Sequence, residues 1–561
     1  MKSSIFGFFS IMMIFTFECV SAQDYSTSTV STKVDRRPNI LLIVADDLGY
    51  SDLGAFGGEI STPTLDSLAQ SGIQLSNFHV APTCSPTRSM LLSGTDNHLA
   101  GLGSMHAVMK WGNPELLGKP GYEGYLNNRV LSMATIFRDS GYSTHMTGKW
   151  HLGMEEDQGP KARGFENSFA LLEGGAGHLS SMGMSEYEPK ATFREDGEVS
   201  KIPEDFYSTR FYSEKMIQYL KSRDISKPFF AYLAFTAPHW PLQAPRESID
   251  RYVGRYKSGY REVLKQRLVK QKELGLISSD TNIDRYIRML PDWEKLSPEE
   301  QRVAERKMEI YAAMIDDLDR NTAKIIEYLK ATGEYDNTLV IFMSDNGAQA
   351  GGMPIFTRWS DKCCDNSYEN MGNANSYLFP GKEWARVSTG ISRGFKGQVS
   401  QGGILAPAIV NYPKAVTKGI RYDQFLSVMD ILPTVLDFAG IKHQEKNYLG
   451  RDLLPSKGTS FASLISGDLR SVHSDNYVMG WELFGGKALR QGSWKLLSMP
   501  APYGDNQWQL YNIEQDPGEH KDLASSQPER VEKMLSLWRS YVADNGVILD
   551  DVNEKIMIQP E

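Results

Sequence analysis

The sequence predicts an α/β fold in which a large sheet is covered by helices, followed by a smaller α+β domain built on a four-stranded antiparallel sheet. Three observations predict it. Short apolar runs rich in β-branched residues end abruptly in polar groups, as strands buried on both faces of a parallel sheet do. Helical patterns fill the stretches between those runs. From about Val472 the chain changes to short strands separated by turn residues.

The elements follow in order. Lys2, the 13-residue apolar run Ile5 to Phe17 and the small residues Val20-Ser21-Ala22 read as a signal peptide over residues 1–22, since the run is short for a bilayer span. This predicts export, cleavage after Ala22 and a periplasmic or secreted protein. Residues 23–37 are rich in Ser and Thr and read as a flexible leader. The large domain is expected over 38–471 and the small one over 472–561. Ile40 to Ala45 ends in Asp46-Asp47, Phe229 to Phe235 in Thr236-Ala237-Pro238-His239, and Leu339 to Met343 in Ser344-Asp345-Asn346-Gly347. Ligands of doubly wound sheets bind beyond the carboxyl ends of the strands, so three such endings predict one shared site.

Thr64 to Ala69 is a short helix closed by Gly72. Asp250 to Glu305 is charged, lacks a buried-strand pattern and is expected to be a helical insertion over the sheet edge. Ser297-Pro298-Glu299-Glu300 carries an N-cap, a Pro at the first helical position and a capping-box Glu. The helix after it buries Met308, Tyr311, Ile315, Leu318, Ile325 and Leu329 and feeds the Leu339 strand as a right-handed βαβ unit. In the small domain, Tyr477 to Trp481, Gly486 to Arg490, Trp494 to Leu497 and Gln509 to Asn512 are strands. Pro528 opens an amphipathic helix with Val531, Met534, Leu535, Leu537 and Trp538.

Composition bounds the function. Of 561 residues, 41% are hydrophobic and 23% charged, which excludes disorder, collagen and coiled coil as the main architecture. A formal charge of -9 argues against a nucleic-acid binder, which presents a cationic face. Four cysteines are too few for a disulfide framework, and the adjacent Cys363 and Cys364 are expected not to pair with each other. Beyond the leader no apolar stretch is long enough for stable membrane insertion.

The strand endings carry chemistry. Asp46, Asp47, Asp345 and Asn346 offer hard oxygens. Carboxylates gathered at one point need a cation or a shared proton, and this donor set favours Ca²⁺ or Mg²⁺ over Zn²⁺. Helix capping is the alternative use of such residues. Cys84 stands in a polar turn between Pro82 and Pro86, four residues before Arg88. It is either a small buried hydrophobe or a thiolate nucleophile assisted by Arg88. Lys149 and His151 are two apart and share a side in extended backbone. With His239 and Lys396 these residues form a pocket for a compact oxyanion, sulfate or phosphate, with imidazoles for proton transfer.

Cys84-Ser85-Pro86-Thr87-Arg88 resembles the C-x-P-x-R signature of the sulfatase family. Pro38-Asn39-Ile40-Leu41, Asp46-Asp47, Gly148-Lys149-Trp150-His151, Pro238-His239 and Ser344-Asp345-Asn346-Gly347 follow in that family's order. Gly118 to Leu126, Asp365-Asn366-Ser367, Gly480 to Gly485 and Asp516-Pro517-Gly518-Glu519 look closest to its bacterial arylsulfatase branch. The resemblance implies an alkaline-phosphatase-like large mixed sheet sandwiched by helices. It implies a maturation enzyme that converts Cys84 to formylglycine (3-oxoalanine), which is then hydrated. It implies one Ca²⁺ held by Asp46, Asp47, Asp345, Asn346 and the side chain at position 84. Lys149 and Lys396 would bind sulfate oxygens, His239 would protonate the leaving group, and Arg88 and His151 would hold the hydrated aldehyde. The implied activity is hydrolysis of aryl or carbohydrate sulfate monoesters, which makes a sulfate ester and the maturation enzyme the expected partners. Gln401-Gly402-Gly403-Ile404-Leu405 departs from the family pattern at its first and last residues, so altered local packing is expected there. Three alternatives stay open: a phosphate or phosphonate ester hydrolase of the same superfamily, which Asn346 disfavours where a second-metal His would stand; a Ca²⁺-dependent binder of sulfated glycans; and a thiol hydrolase. The specificity walls are expected from residues 106–121, 171–184 and 353–384.

Overall fold

The computed structural model describes residues 37–416, 419–443, 446–468 and 470–549. The expected signal peptide and all of the leader but Arg37 lie outside the described residues. Eleven strands form the large sheet. Its centre is parallel, in the spatial order Thr338–Ser344, Asn39–Ala45, Phe229–Ala234, Ser143–Lys149, Asn167–Leu171. On one flank Leu405–Asn411 and Ile73–His79 add antiparallel strands, and Ile420–Tyr422 and Leu426–Ser427 pair parallel with Ile73–His79. On the other flank Phe193–Glu195 and Glu198–Ser200 pair antiparallel. The sheet is therefore large and mixed, as expected.

Every residue of the Asn39, Thr338 and Phe229 strands is buried. Alternate side chains enter different cores: Ile40, Leu42 and Val44 pack on one face, Leu41, Ile43 and Ala45 on the other. Two covered faces explain why these strands read as continuous apolar runs. Register places the site. Ala45 pairs with Ser344, and Ala234 pairs with both Val44 and Gly148. The segments beginning at Asp46, Asp345, Phe235 and Lys149 thus leave the sheet at one level.

The capping box is present. Glu300 N donates to Ser297 Oγ at 3.3 Å and Ser297 N donates to Glu300 Oε2 at 2.7 Å, and the helix Pro298–Ala331 buries the six apolar residues expected. It leads into the Thr338 strand, which lies parallel to Phe229–Ala234 with the Asn39 strand between them. From Asp250 to Glu305 the described residues are helical or irregular, with helices Gly259–Glu273 and Ile283–Arg288. This insertion reaches the sheet edge, where Arg421 of Ile420–Tyr422 donates to Leu274 O at 2.7 Å.

The small sheet runs Val478–Leu483, Gly486–Gln491, Trp494–Ser498, Gln509–Asn512, all antiparallel. One face packs Leu489, Leu496 and Leu510 on Met534, Trp538 and Tyr541 of the helix Pro528–Asn545. The other face gives Trp481, Ala488, Leu497 and Tyr511 to the core of the large sheet. The seam also holds charge. Lys495 Nζ donates to Glu519 Oε1 at 2.6 Å and to Gln401 Oε1 at 3.2 Å, and Gln401 N donates to Glu519 Oε2 at 3.1 Å. Gln401, the departure noted in the sequence, is thus a buried seam residue.

One expectation is overturned: a disulfide joins Cys363 to Cys364. Cys363 ends the helix Pro354–Cys363 and Cys364 is already extended, and this break in the backbone brings the neighbouring sulfurs together. Among the described residues no helix is long and apolar enough to cross a membrane.

The seam yields a prediction. Both side chains of the Lys495–Glu519 pair are fully buried, and removing one partner strands the other charge. Glu519→Ala is expected to lower stability by about 3–5 kcal/mol, while the double variant Lys495→Met/Glu519→Ala recovers most of that. Thermal unfolding reads both, and a single variant that melts with the wild type contradicts this account of the seam.

Candidate active site

The site is built where the central strands end. Two non-glycine residues there adopt left-handed backbone: Asp47 at φ 69° and His151 at φ 56°. Such conformations are costly and persist where the surroundings over-determine them. Cys84 is the first residue of the helix Cys84–Ser93, entered from extended Thr83. Arg88 therefore lies one turn along the same face, and the whole helix is buried. A Cβ on Gly347 would lie 1.8 Å from Gly402 O. Only glycine lets the Asn346 turn approach the loop that carries Lys396, where Lys396 N donates to Ala348 O at 3.0 Å.

All ten residues singled out in the sequence meet here. Arg88 Nε donates to Asp345 Oδ2 at 2.9 Å, and its Nη1 to Lys149 O at 3.0 Å and Tyr232 Oη at 3.3 Å. Lys149 Nζ donates to Asp46 Oδ2 at 2.7 Å and Lys396 Nζ to Asp47 Oδ1 at 2.6 Å. Asn346 Nδ2 donates to Asp47 Oδ1 at 2.7 Å, and Asp47 N to Asp345 Oδ1 at 3.3 Å. His239 Nε2 stands 3.6 Å from Asp47 Oδ2. Cys84 Sγ lies 3.2 Å from His151 Nδ1.

The residues fit a cation. Asp46 Oδ1, Asp47 Oδ2 and Asn346 Oδ1 are buried without a hydrogen-bond partner, which is costly unless something else binds them. Ligand atoms of Asp46, Asp47 and His239 lie within 4.8 Å of one another. His239, expected from sequence as a proton-transfer group, thus borders the cation position. Hard oxygens in this number suit Ca²⁺ or Mg²⁺.

Burial governs the titrations. It raises the carboxyls of Asp46 and Asp345 above their ordinary range, and Lys149 and Arg88 only partly counter this. Burial opposes the charge of Lys396, but Asp47, Cys84, Asp46 and Asp345 more than offset it and hold the ammonium above its usual range. His151 is pushed well down by burial, then by Lys149 and Arg88. His239 is pushed well down by burial, then by Lys396 and Lys149.

The three stretches expected to form walls meet at one hairpin beside the site. Backbone at Gly174 and Gly175 crosses both imidazoles: a Cβ on Gly174 would fall 2.6 Å from His151 Cε1, and one on Gly175 3.0 Å from His239 Cε1 and 2.9 Å from Met184 Sδ. The hairpin of Met182–Ser185 and Glu188–Lys190 is flanked by ion pairs, Lys110–Glu188 at 3.5 Å and Lys362–Glu186 at 2.9 Å. Tyr377 Oη donates to Met184 O at 2.7 Å. Three residues close to the chemistry carried no sequence signal. Tyr232 lies inside an apolar strand, Met105 Sδ is 4.0 Å from Cys84 Sγ, and His178 bonds the backbone of His239.

The Sulfatase family profile matches residues 38–441. The chain is 45% identical to an uncharacterized sulfatase of Schizosaccharomyces pombe over 91% of this chain and 95% of that protein. It is 40% identical to an arylsulfatase of Klebsiella aerogenes over 78% and 94%. Among solved structures it resembles Ps i-CgsB in complex with k-i-k-neocarrahexaose, with a TM-score of 0.63 and 25% identity over 91% of this chain and 93% of that one.

The contact at Gly174 gives a prediction. Gly174→Ala drives a methyl into the His151 ring and is expected to cost about 10²-fold in kcat, the scale of a misplaced catalytic group, with the fold intact by circular dichroism. Unchanged turnover contradicts the placement of this segment against His151.

Proposed function

The chain belongs to the sulfatase family, and from that premise we propose that it hydrolyses sulfate monoesters of phenols or sugars, using an aldehyde made from Cys84 and a bound Ca²⁺. One observation carries the proposal: Arg88, Lys149, Lys396, His151 and His239 converge with Cys84 and three partnerless oxygens in one buried cup. Several cationic donors around one point suit a compact tetrahedral oxyanion. The relative named arylsulfatase supports phenols, and the neighbour in complex with neocarrahexaose supports sugars.

Asp46, Asp47, Asp345, Asn346 and the side chain at position 84 would hold the ion, which supplies polarisation of a sulfate oxygen. A hydrated aldehyde at position 84 would supply one hydroxyl to attack sulfur as the ester S–O bond breaks, and loss of a proton from its second hydroxyl would then release sulfate and restore the aldehyde. Lys149 and Lys396 each carry three N–H donors and give one to a carboxylate, leaving donors for sulfate oxygens. His239 Nε2 delivers a proton to the leaving oxygen. His151 Nδ1 takes the proton lost at position 84. Arg88, pinned by Asp345 and by Lys149 O, holds a fixed positive charge beside that side chain. Export with cleavage after Ala22, and a maturation enzyme acting on Cys84, belong to the same proposal.

A second reading has its own observation. The 3.2 Å contact of Cys84 Sγ with His151 Nδ1 is also the geometry of a thiol–imidazole pair. Mass analysis of the Cys84 peptide from native host material separates the two. The proposal expects the aldehyde, and activity indifferent to iodoacetamide; an unmodified thiol with activity lost on alkylation establishes the thiol reading instead. Aryl sulfate is expected to turn over much faster than aryl phosphate, and the reverse order favours a phosphate ester hydrolase.

The ion gives a further prediction. Ca²⁺ at 100 times its dissociation constant is expected to stabilise the protein by about 2.7 kcal/mol, and EGTA to remove that gain along with activity. Asn346→Ala, which deletes one of the unpartnered oxygens, is expected to weaken the response. A melting curve indifferent to both Ca²⁺ and EGTA contradicts the metal assignment.

A further inference from the structure

His178 lies outside every motif noted in the sequence, yet it is tied to the proton donor of the proposed reaction. Its ring is buried and both nitrogens are engaged. Nε2 is 2.8 Å from the carbonyl oxygen of His239, and Nδ1 is 2.8 Å from Ser208 Oγ. A carbonyl only accepts, so Nε2 carries the proton and Nδ1 accepts from the serine hydroxyl. Thr236 Oγ1 donates to Ser208 Oγ at 3.3 Å. The row of donors then runs one way, from Thr236 through Ser208 and His178 into His239. The backbone locks the same contact, since Ser208 N donates to His178 O at 2.8 Å and His178 N to Gln243 Oε1 at 2.8 Å.

At its other end this row meets His239, which stands between Pro238 and Trp240-Pro241. His239 N bonds Thr236 O at 3.0 Å. The His239 ring turns its Nδ1 to the next carbonyl, Trp240 O, and this leaves Nε2 to face Asp47 Oδ2. The direction of Nε2 therefore follows the Trp240–Pro241 peptide, which is joined through Trp240 to the peptide between His239 and Trp240. That peptide's oxygen is the atom His178 holds. Without His178 a buried carbonyl loses its donor and rotates to find another, and the imidazole moves with it.

We infer that His178 is a positioning residue for proton delivery: its Nε2–H fixes the His239 peptide so that His239 Nε2 points at the leaving oxygen. With Nε2 donating to a carbonyl and Nδ1 accepting from a hydroxyl, both His178 nitrogens are committed to this one orientation. The inference rests on the reading of His239 as the group that protonates the leaving group.

The test compares two esters. Para-nitrophenyl sulfate releases an anion that leaves readily without a proton. Phenyl sulfate releases a phenol with pKa about 10 and depends on one. His178→Ala is expected to lose about 30-fold or more in kcat on phenyl sulfate but about threefold or less on the nitrophenyl ester, within the range a positioned acid contributes. His178→Gln, whose amide can still donate to the carbonyl and accept from Ser208, is expected to restore most of the phenyl sulfate rate. Ser208→Ala removes a single hydroxyl, serves if His178→Ala does not fold, and is expected to show the same discrimination in weaker form. His239→Ala in parallel separates the two claims. If His239→Ala discriminates between the esters while His178→Ala and Ser208→Ala lose equally on both, the inference is overturned and the proton-donor reading survives. If His239→Ala also loses equally on both, the proton-donor reading fails and the inference falls with it.

Discussion

The constraint that organises this molecule is the burial of six full charges at one end of a sheet. Asp46, Asp345, Lys149 and Arg88 are fully buried side chains, Asp47 likewise, and Lys396 nearly so. Isolated charges in such a place cost many kcal/mol, so each must find a partner. The structure pairs them one to one: Arg88 with Asp345, Lys149 with Asp46, Lys396 with Asp47. Among these six the charge cancels, so the protein groups alone do not make a strongly cationic pocket. In the proposed reading, a divalent ion on the three oxygens that the pairing leaves over would supply the attraction for an oxyanion.

Much of the fold serves that pairing. Partners come from the ends of separate parallel strands and from the loop of Lys396, so their meeting depends on strand register and on close approaches such as Gly347 against Gly402. A second buried charge cluster holds the turn after Asp47. Asp52 accepts from Gly49 N at 2.8 Å, Ser388 Oγ at 2.7 Å and Tyr311 Oη at 2.7 Å, and pairs with Arg267. Tyr311 Oη also lies 3.3 Å from Asp47 O. Arg267 belongs to the charged insertion, so a segment without strands or site motifs still steadies the strained Asp47 backbone.

What the sequence made legible follows from the same physics. A doubly buried strand must be apolar throughout and must end where polar groups begin, so Asp46-Asp47, His239 and Asp345-Asn346 announce themselves. The cap at Ser297 and the four short strands after Val472 are local signals and are read at nearly their observed positions. His178, Met105 and Tyr232 were not legible because each acts through a contact with no local pattern. A histidine that bonds a carbonyl 61 residues away looks like any other histidine. The bond between Cys363 and Cys364 is not legible in the sequence because it forms where a helix ends between the two residues. The small domain is read as a second unit from its short strands and turns, and one face of its sheet packs into the core of the large sheet, a long-range fact that strand patterns do not carry.

In the proposed reaction the two site histidines sit in one field but would perform opposite services, and the bound ester itself would bear on that difference. Burial and neighbouring cations push both rings well below the ordinary histidine range. That suits His151, which is to accept a proton from position 84 and must start neutral. It opposes His239, which is to donate one. In the neutral ring, the Nδ1 contact with Trp240 O places the single proton away from the leaving oxygen. Lys396 and Lys149 lead the charges acting against His239 after burial, and these are the groups assigned to sulfate oxygens. An anion bound to both ammonium groups cancels their field at His239 and favours its second proton, now on Nε2. In the proposed reaction the charge of the ester would thus favour the acid form of His239, while Arg88, which is assigned to no sulfate oxygen, still acts against a second proton on His151.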